Sequence, residues 1–252
     1  NESKAFQPAQ LSKWASRQQF VTERPIDVGT FVELSDHFGA GEGYENWYLD
    51  PRWSTYRSYY DEAERIVKHQ AANGADAKLI QLAWKVLLAS CWETAWHTPS
   101  CGVHGDPDSN GEPSPWSKAV ANHVRHAIVI AEAAHWMTHQ DGAAHACLSD
   151  IDHDGEDELV LKNDKLFAVF TLRWGARLTY LFNVEANSGK MVIGNPCDDW
   201  NWQEELNKYM QIPANHPGAL TDLRFEDDRY EVNLHSTDGD VVEVQFVNSE
   251  LR

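Results

Sequence analysis

The sequence predicts an α+β protein, a helical bundle followed by an antiparallel β-sandwich-like domain. Two observations carry the prediction. Up to about residue 140 the apolar residues recur at helical spacing, and beyond it they alternate in short runs. A third is the charge: residues 1–140 hold 12 basic and 17 acidic side chains, residues 141–252 hold 9 and 22, so the change of pattern is also a change of surface. The expected division is a Trp-rich helical domain over 1–140 and an acidic β-rich domain over 141–252.

The first clear helix spans Arg52 to Gln70, with Trp53, Tyr56, Tyr60, Ala63, Ile66 and Val67 on one stripe and Asn73-Gly74 as its stop. The strongest helical signal follows from Asp76 to about Trp96, where Leu79, Leu82, Ala83, Val86, Leu87, Ser90 and Cys91 keep the same period. A loop rich in Pro, Ser and Gly, from Thr98 to Ser114, exceeds the usual connection and is a candidate rim of a site. A third helix is expected from Pro115 to His139, carrying Val120, Val124, Ile128, Ala131, Ala134 and Trp136. After Asp141-Gly142 five strands are expected, at 158–162, 166–170, 177–182, 229–234 and 241–246.

A formal net charge of -18 on 252 residues argues against general nucleic-acid binding, which depends on Lys and Arg releasing counterions. No apolar run reaches the roughly 20 residues that cross a bilayer, and Asn1-Glu2-Ser3-Lys4 lacks the apolar stretch of a signal peptide. The expected partner is neutral or cationic, met by a soluble protein whose compartment, cytoplasmic or secreted, stays open. Cys91, Cys101, Cys147 and Cys197 include no Cys-x-x-Cys pair, so a zinc ribbon is not expected, and their disulfide state is open.

The sharpest local motif is Asp150-Ile151-Asp152-His153-Asp154-Gly155-Glu156-Asp157-Glu158. Alternate carboxylates converge while Gly155 permits a tight turn, and the hard oxygens of Asp150, Asp152, Asp154, Glu156 and Glu158 suit a structural Ca²⁺. An EF-hand is ruled out, because its twelfth position would be Leu161 and a strand follows. The competing reading is an Asp-rich turn without an ion. His123/His126 and His135/His139 stand three and four apart on the third helix, a spacing that can place two imidazoles on one metal. No HExxH or carboxylate partner accompanies them, and helix-packing or surface histidines are the expectation. Gly-x-Ser-x-Gly is absent, and Gly39-Ala40-Gly41-Glu42-Gly43 lacks the Lys-Ser/Thr of a phosphate loop.

Eight of eleven tryptophans fall in the first half. Two clusters join them to carboxylates: Tyr44-Glu45-Asn46-Trp47-Tyr48-Leu49-Asp50-Pro51-Arg52-Trp53, and Ser90-Cys91-Trp92-Glu93-Thr94-Ala95-Trp96. Aromatic faces stack on sugar rings and carboxylates bond hydroxyls or move protons, so Trp47, Asp50, Trp53, Trp92, Glu93 and Trp96 are candidate substrate-binding residues. The alternative is that these tryptophans staple the helices together.

The order of features, a Gly-rich loop into Gly39–Trp53, Tyr59-Tyr60-Asp61-Glu62, Leu87-Leu88-Ala89-Ser90-Cys91-Trp92-Glu93, Ala121-Asn122-His123-Val124-Arg125-His126 and a β-rich tail, resembles the C-terminal half of glycoside hydrolase family 57 and related α-glucan enzymes. The resemblance implies retaining chemistry on α-glucan by two carboxylic residues on an N-terminal (β/α) barrel. No alternating βα region is present, so the nucleophile and acid have no matching position and the catalytic residues are unknown. What it implies for this chain is a C-terminal portion or subunit of a carbohydrate-active enzyme, hydrolase or glucanotransferase, completed by a barrel on a partner chain or on a missing N-terminal domain. The start at Asn1 without Met fits that expectation. The rivals are a non-catalytic glycan-binding or protein-interaction module, and a self-contained pair of Glu93 and Asp50.

Overall fold

The structure is a computed structural model that describes residues 54–95, 115–194, 219–222, 224–225 and 228–250; for 54–57, 91–95, 115–123 and 238 it describes the backbone alone. Three helices, α1 (Ser54–Ala72), α2 (Ala77–Ala95) and α3 (Pro115–Thr138), precede eight strands. The α1 stripe buries Tyr60, Ala63, Ile66 and Val67, while Glu62 and Arg65 pair on the outer face. The helix closes at Gly74, whose φ of 77° suits glycine and whose N–H donates to Ala71.

Asp76 then starts α2. Its carboxylate accepts from the Leu79 N–H at 2.8 Å as an N-cap, its own N–H donates to Ala134 of α3 at 3.0 Å, and the Ser188 hydroxyl donates to its second oxygen at 2.8 Å. One residue thus joins α2, α3 and the sheet. In α3 the run Ala127 to Ala131 is buried on every side, which requires neighbours all round.

The strands are β1 (Ala144–Ser149), β2 (Glu158–Lys162), β3 (Leu166–Phe170), β4 (Leu178–Glu185), β5 (Ser188–Gly194), β6 (Tyr230–Ser236), β7 (Asp238–Gly239) and β8 (Glu243–Asn248). Strands β1 to β5 form an antiparallel sheet in the order β5-β4-β3-β2-β1, with the two-residue β7 at the β1 edge. Strands β6 and β8 pair separately as a two-stranded ribbon. The expected strands at 158–162 and 166–170 are observed with those bounds, whereas β1 and β5 were not expected. β1 has none of the β-branched or aromatic residues that mark strands, and β5 contains two glycines, Gly189 and Gly194.

One sheet face meets the helices. Register places Val160, Val169 and Tyr180 in one row and Phe167 and Phe182 in the next. Trp136 of α3 lies 5.6 Å from Phe167, and His126 lies 5.1 Å from Tyr180, ring centre to ring centre. Helix and strand residues therefore share one apolar cluster across residue 140. On the opposite face Phe170 meets Phe246 of the ribbon at 5.4 Å. Among the described residues no helix is long and apolar enough to cross a membrane.

Close approach of α2 to β5 depends on Gly189, where an added Cβ would lie 2.2 Å from Leu79 Cδ1 and 2.9 Å from Leu79 Cγ. Gly189→Ala is expected to cost about 1–3 kcal/mol by overpacking, read as a lower midpoint in chemical denaturation. Adding Leu79→Ala should recover part of the overpacking loss in a double-mutant cycle, whereas additive losses would show that the two sites do not meet.

Candidate functional site

The acidic motif forms the turn between β1 and β2. Asp150 accepts from the N–H groups of Asp154 (2.9 Å) and Gly155 (3.1 Å), Asp152 accepts from Asp154 N–H (3.1 Å), and Asp154 accepts from Glu156 N–H (2.8 Å). These side-chain-to-backbone bonds curl the chain, and His153 and Gly155 take positive φ values of 62° and 94° to complete it. Nothing stands within 4 Å of a Cβ at Gly155, so its backbone conformation is what calls for glycine.

Pairing of Ser149 with Glu158 returns the chain beside its own entry, and Glu158 accepts from Ile151 N–H at 3.3 Å. As a result, carboxylate oxygens of Asp150, Asp152 and Glu158 lie within 4.8 Å of one another. The other two expected ligands have partners of their own. Asp154 pairs with Arg173 at 2.9 Å, and Glu156 pairs with Arg229.

Asp152 and Glu158 are each only 5% exposed. Burial, then the charges of Asp152 and Asp154, pushes Glu158 up to about 9. Burial and Asp154 push Asp152 up to about 7, against the opposing pull of Arg125 from α3. Asp152 and Glu158, which resist ionisation together, form with the oxygen of Asp150 a fitting partial cage of hard donors for a divalent cation, whose charge would remove the penalty. With protons instead, Asp152 and Glu158 are buried acids.

Asp150 and Ile151 also line an open cleft of about 390 Å³ between the end of α3 and strands β1 and β2. His135 comes from the last turn of α3, His139 from the residue just past it, and His145 and Cys147 from β1. Trp136 donates its indole N–H to Asn163 O at 2.8 Å and fixes the helix end to the β2–β3 turn. His145 contacts Asp141 at 2.8 Å. The Ala143 N–H and then His145 hold the Asp141 carboxyl below its ordinary value. This cleft was not legible in the sequence, because its far wall is the unexpected strand β1.

Of the candidate sugar-binding residues, Trp47, Asp50, Trp53 and Trp96 lie outside the described residues. Trp92 and Glu93 fall in the last turns of α2, where the backbone alone is described. Trp84 and Trp136 are in the apolar core. Cys147 is a free, exposed thiol, and the side chains of Cys91, Cys101 and Cys197 lie outside the described residues.

No family model matches the chain, and no curated protein matches it. Among solved structures it is similar to the 4-alpha-glucanotransferase from Thermococcus litoralis, with 16% identity and a TM-score of 0.31 over 90% of this chain. The match takes in 36% of that enzyme's chain. A likeness at this level does not carry that enzyme's activity across.

The buried acids set a pH dependence. A carboxyl with a raised folded pKa holds its proton more tightly in the folded state. Its contribution is full below the unfolded value and is lost as pH rises toward the folded value. For Glu158 the window runs from 4.5 to about 9, and for Asp152 from 3.8 to about 7. In chelator, thermal stability is expected to fall between about pH 5 and 8, and Glu158→Gln should gain more than about 1 kcal/mol over the native chain at the upper end. A native profile parallel to that of Glu158→Gln would contradict the assignment.

Proposed function

We propose that this chain is the helical and β portion, or a subunit, of a carbohydrate-active enzyme acting on α-glucan, and that its β1–β2 turn holds a structural Ca²⁺. The calcium reading is supported by the convergence of Asp150, Asp152 and Glu158 within 4.8 Å. The ion would balance carboxylates that otherwise take up protons, and would stabilise the turn joining β1 to β2. Asp154 and Glu156, held by Arg173 and Arg229, would support the turn.

The glucan reading is supported by the sequence order that resembles glycoside hydrolase family 57, and by the Trp and carboxylate clusters at Trp47–Trp53 and Trp92–Trp96. In that reading Trp47, Asp50, Trp53, Trp92, Glu93 and Trp96 bind a neutral oligosaccharide. The reacting carboxylates belong to a (β/α) barrel on a partner chain or on an N-terminal domain. The ribbon β6–β8, with Phe246 against Phe170, supports reading the β half as a two-layered sandwich. The rival, a non-catalytic glycan-binding or protein-interaction module, shares the aromatic platform without the reacting groups.

Two experiments test these readings. Ca²⁺ is expected to raise the thermal midpoint of chelator-treated protein, by about 2.7 kcal/mol of stability at a hundredfold excess over Kd. The double variant Asp152→Asn, Glu158→Gln should lose the response, and a native midpoint indifferent to EDTA and Ca²⁺ removes the ion. For the glycan, calorimetry with linear α-glucan oligosaccharides should show binding that weakens about tenfold or more in Trp47→Ala or Trp92→Ala, the loss of one aromatic platform. Unchanged affinity in both overturns the platform, and turnover by the chain alone that Glu93→Gln abolishes points instead to a self-contained site.

A further inference from the structure

We propose that the stacked imidazoles of His135 and His139 form a pH-sensitive clasp at the end of α3, which holds the helix end against the sheet when neutral and releases it on acidification through the histidine range. None of the residues assigned to glucan or Ca²⁺ takes part in the clasp. The rings face each other with centres 3.9 Å apart at an interplanar angle of 22°. His135 lies in the last turn of α3 and His139 just past its end. Between them the chain makes the contacts that tie this end down. The Trp136 indole N–H donates to Asn163 O at 2.8 Å, and its ring lies against Phe167. The Thr138 hydroxyl donates to His135 O at 3.2 Å, and His139 Nδ1, 3.0 Å from the same oxygen, donates there as an N–H. The last carbonyls of a helix have no partner within it, and these side chains supply one. Stack, cap and indole anchor thus share one short stretch of chain.

Protonation works against this arrangement. His135 Nδ1 is enclosed, and no acceptor among the described residues meets it. With its proton on Nε2 the neutral ring leaves only a lone pair unmet at that atom, whereas the charged ring puts an N–H there with nowhere to donate. With both rings charged, like charges also face each other at the stacking distance. Burial first, and then His139, hold His135 below the ordinary histidine value. Glu132, on the preceding turn of α3, opposes this, as does the negative end of the helix, while Lys162 of β2 and His69 of α1 add to it. The other walls of the cleft contribute Asp141, His145, Cys147, Asp150 and His153. Asp141 is engaged by His145, and Glu62 of α1 by His153, so both carboxylates already have an imidazole of their own. Asp150 is turned to the N–H groups of Asp154 and Gly155.

A folded value below the unfolded 6.5 means that the contribution of His135 is full above 6.5 and is lost as pH falls toward the folded value. Acid therefore weakens the contact of α3 with the β2–β3 turn and loosens one wall of the cleft. The buried acids of the β1–β2 turn run the other way, because a proton suits Asp152 and Glu158, so a loss of protection in acid does not come from them.

The test is hydrogen exchange of the full chain in chelator at about pH 7.5 and about pH 5, read as protection relative to the unfolded-chain rate at each pH. The amides of 136–139 are expected to lose protection about fivefold or more at the lower pH, the size of the repulsion between two charges at this separation even in bulk water. Those of 128–131, in the buried middle of α3, should keep theirs. His135→Phe keeps a ring in the stack that takes no proton, and should abolish the response to pH. His139→Gln, at an exposed position, removes the second ring and should reduce the response, and it decides the matter even where His135→Phe does not fold. The clasp is overturned by protection at 136–139 that is indifferent to pH, that falls as far in His139→Gln as in the native chain, or that falls in step with 128–131.

Discussion

A helix buried on all sides cannot stand alone, and α3 is such a helix. From Ala127 to Ala131 each side chain is at most 1% exposed. One face must meet α1, another α2, and a third the sheet. Ala127, Ala131, Ala133 and Ala134 are small enough for backbones to come close, while Ile128 and Ile130 fill the space between. Asp76 locks the arrangement, since it caps α2 while bonding to Ala134 and Ser188. The two candidate sites are consequences of the same helix. Arg125, near its middle, faces the charge of Asp152, and His135 in its last turn, with His139 just past its end, lines the cleft.

The acidic surplus of the β half meets this frame at the β1–β2 turn. Local side-chain bonds to backbone N–H groups make the turn, and strand pairing then draws Glu158 onto it. Burial against α3 turns a common Asp-rich loop into one with a charge problem. Arg173 and Arg229 settle Asp154 and Glu156, while Asp152 and Glu158 are left to protons or, together with Asp150, to a cation. Local chemistry shaped the turn, but the tertiary surroundings determine how costly its charge is.

Legibility followed the range of the interactions. Glu158–Lys162 and Leu166–Phe170 were readable because apolar alternation is written in consecutive residues. Ala144–Ser149 was not, because Ala144, His145, Ala146, Cys147, Leu148 and Ser149 have little strand preference and take their place by pairing with β2 and β7. The β4–β5 hairpin carries a local signal of its own: Ala186 and Asn187 hold positive φ at 51° and 61°, and Asn187-Ser188-Gly189 is turn-forming chemistry. Of the tryptophans, Trp84 and Trp136 serve the core, the bland alternative for an aromatic-rich helix.

Sequence alone determined the three helices, the strands Glu158–Lys162 and Leu166–Phe170 and the Asp-rich turn, since each depends on neighbours a few residues away. It also supplied His135 and His139 four residues apart. Only the tertiary structure decided that Glu158 joins Asp150 and Asp152, that Asp154 and Glu156 pair with arginines, and that β1 brings His145 and Cys147 opposite the histidine pair. Those outcomes depend on which strand pairs with which and on what buries them, and neither is contained in local spacing.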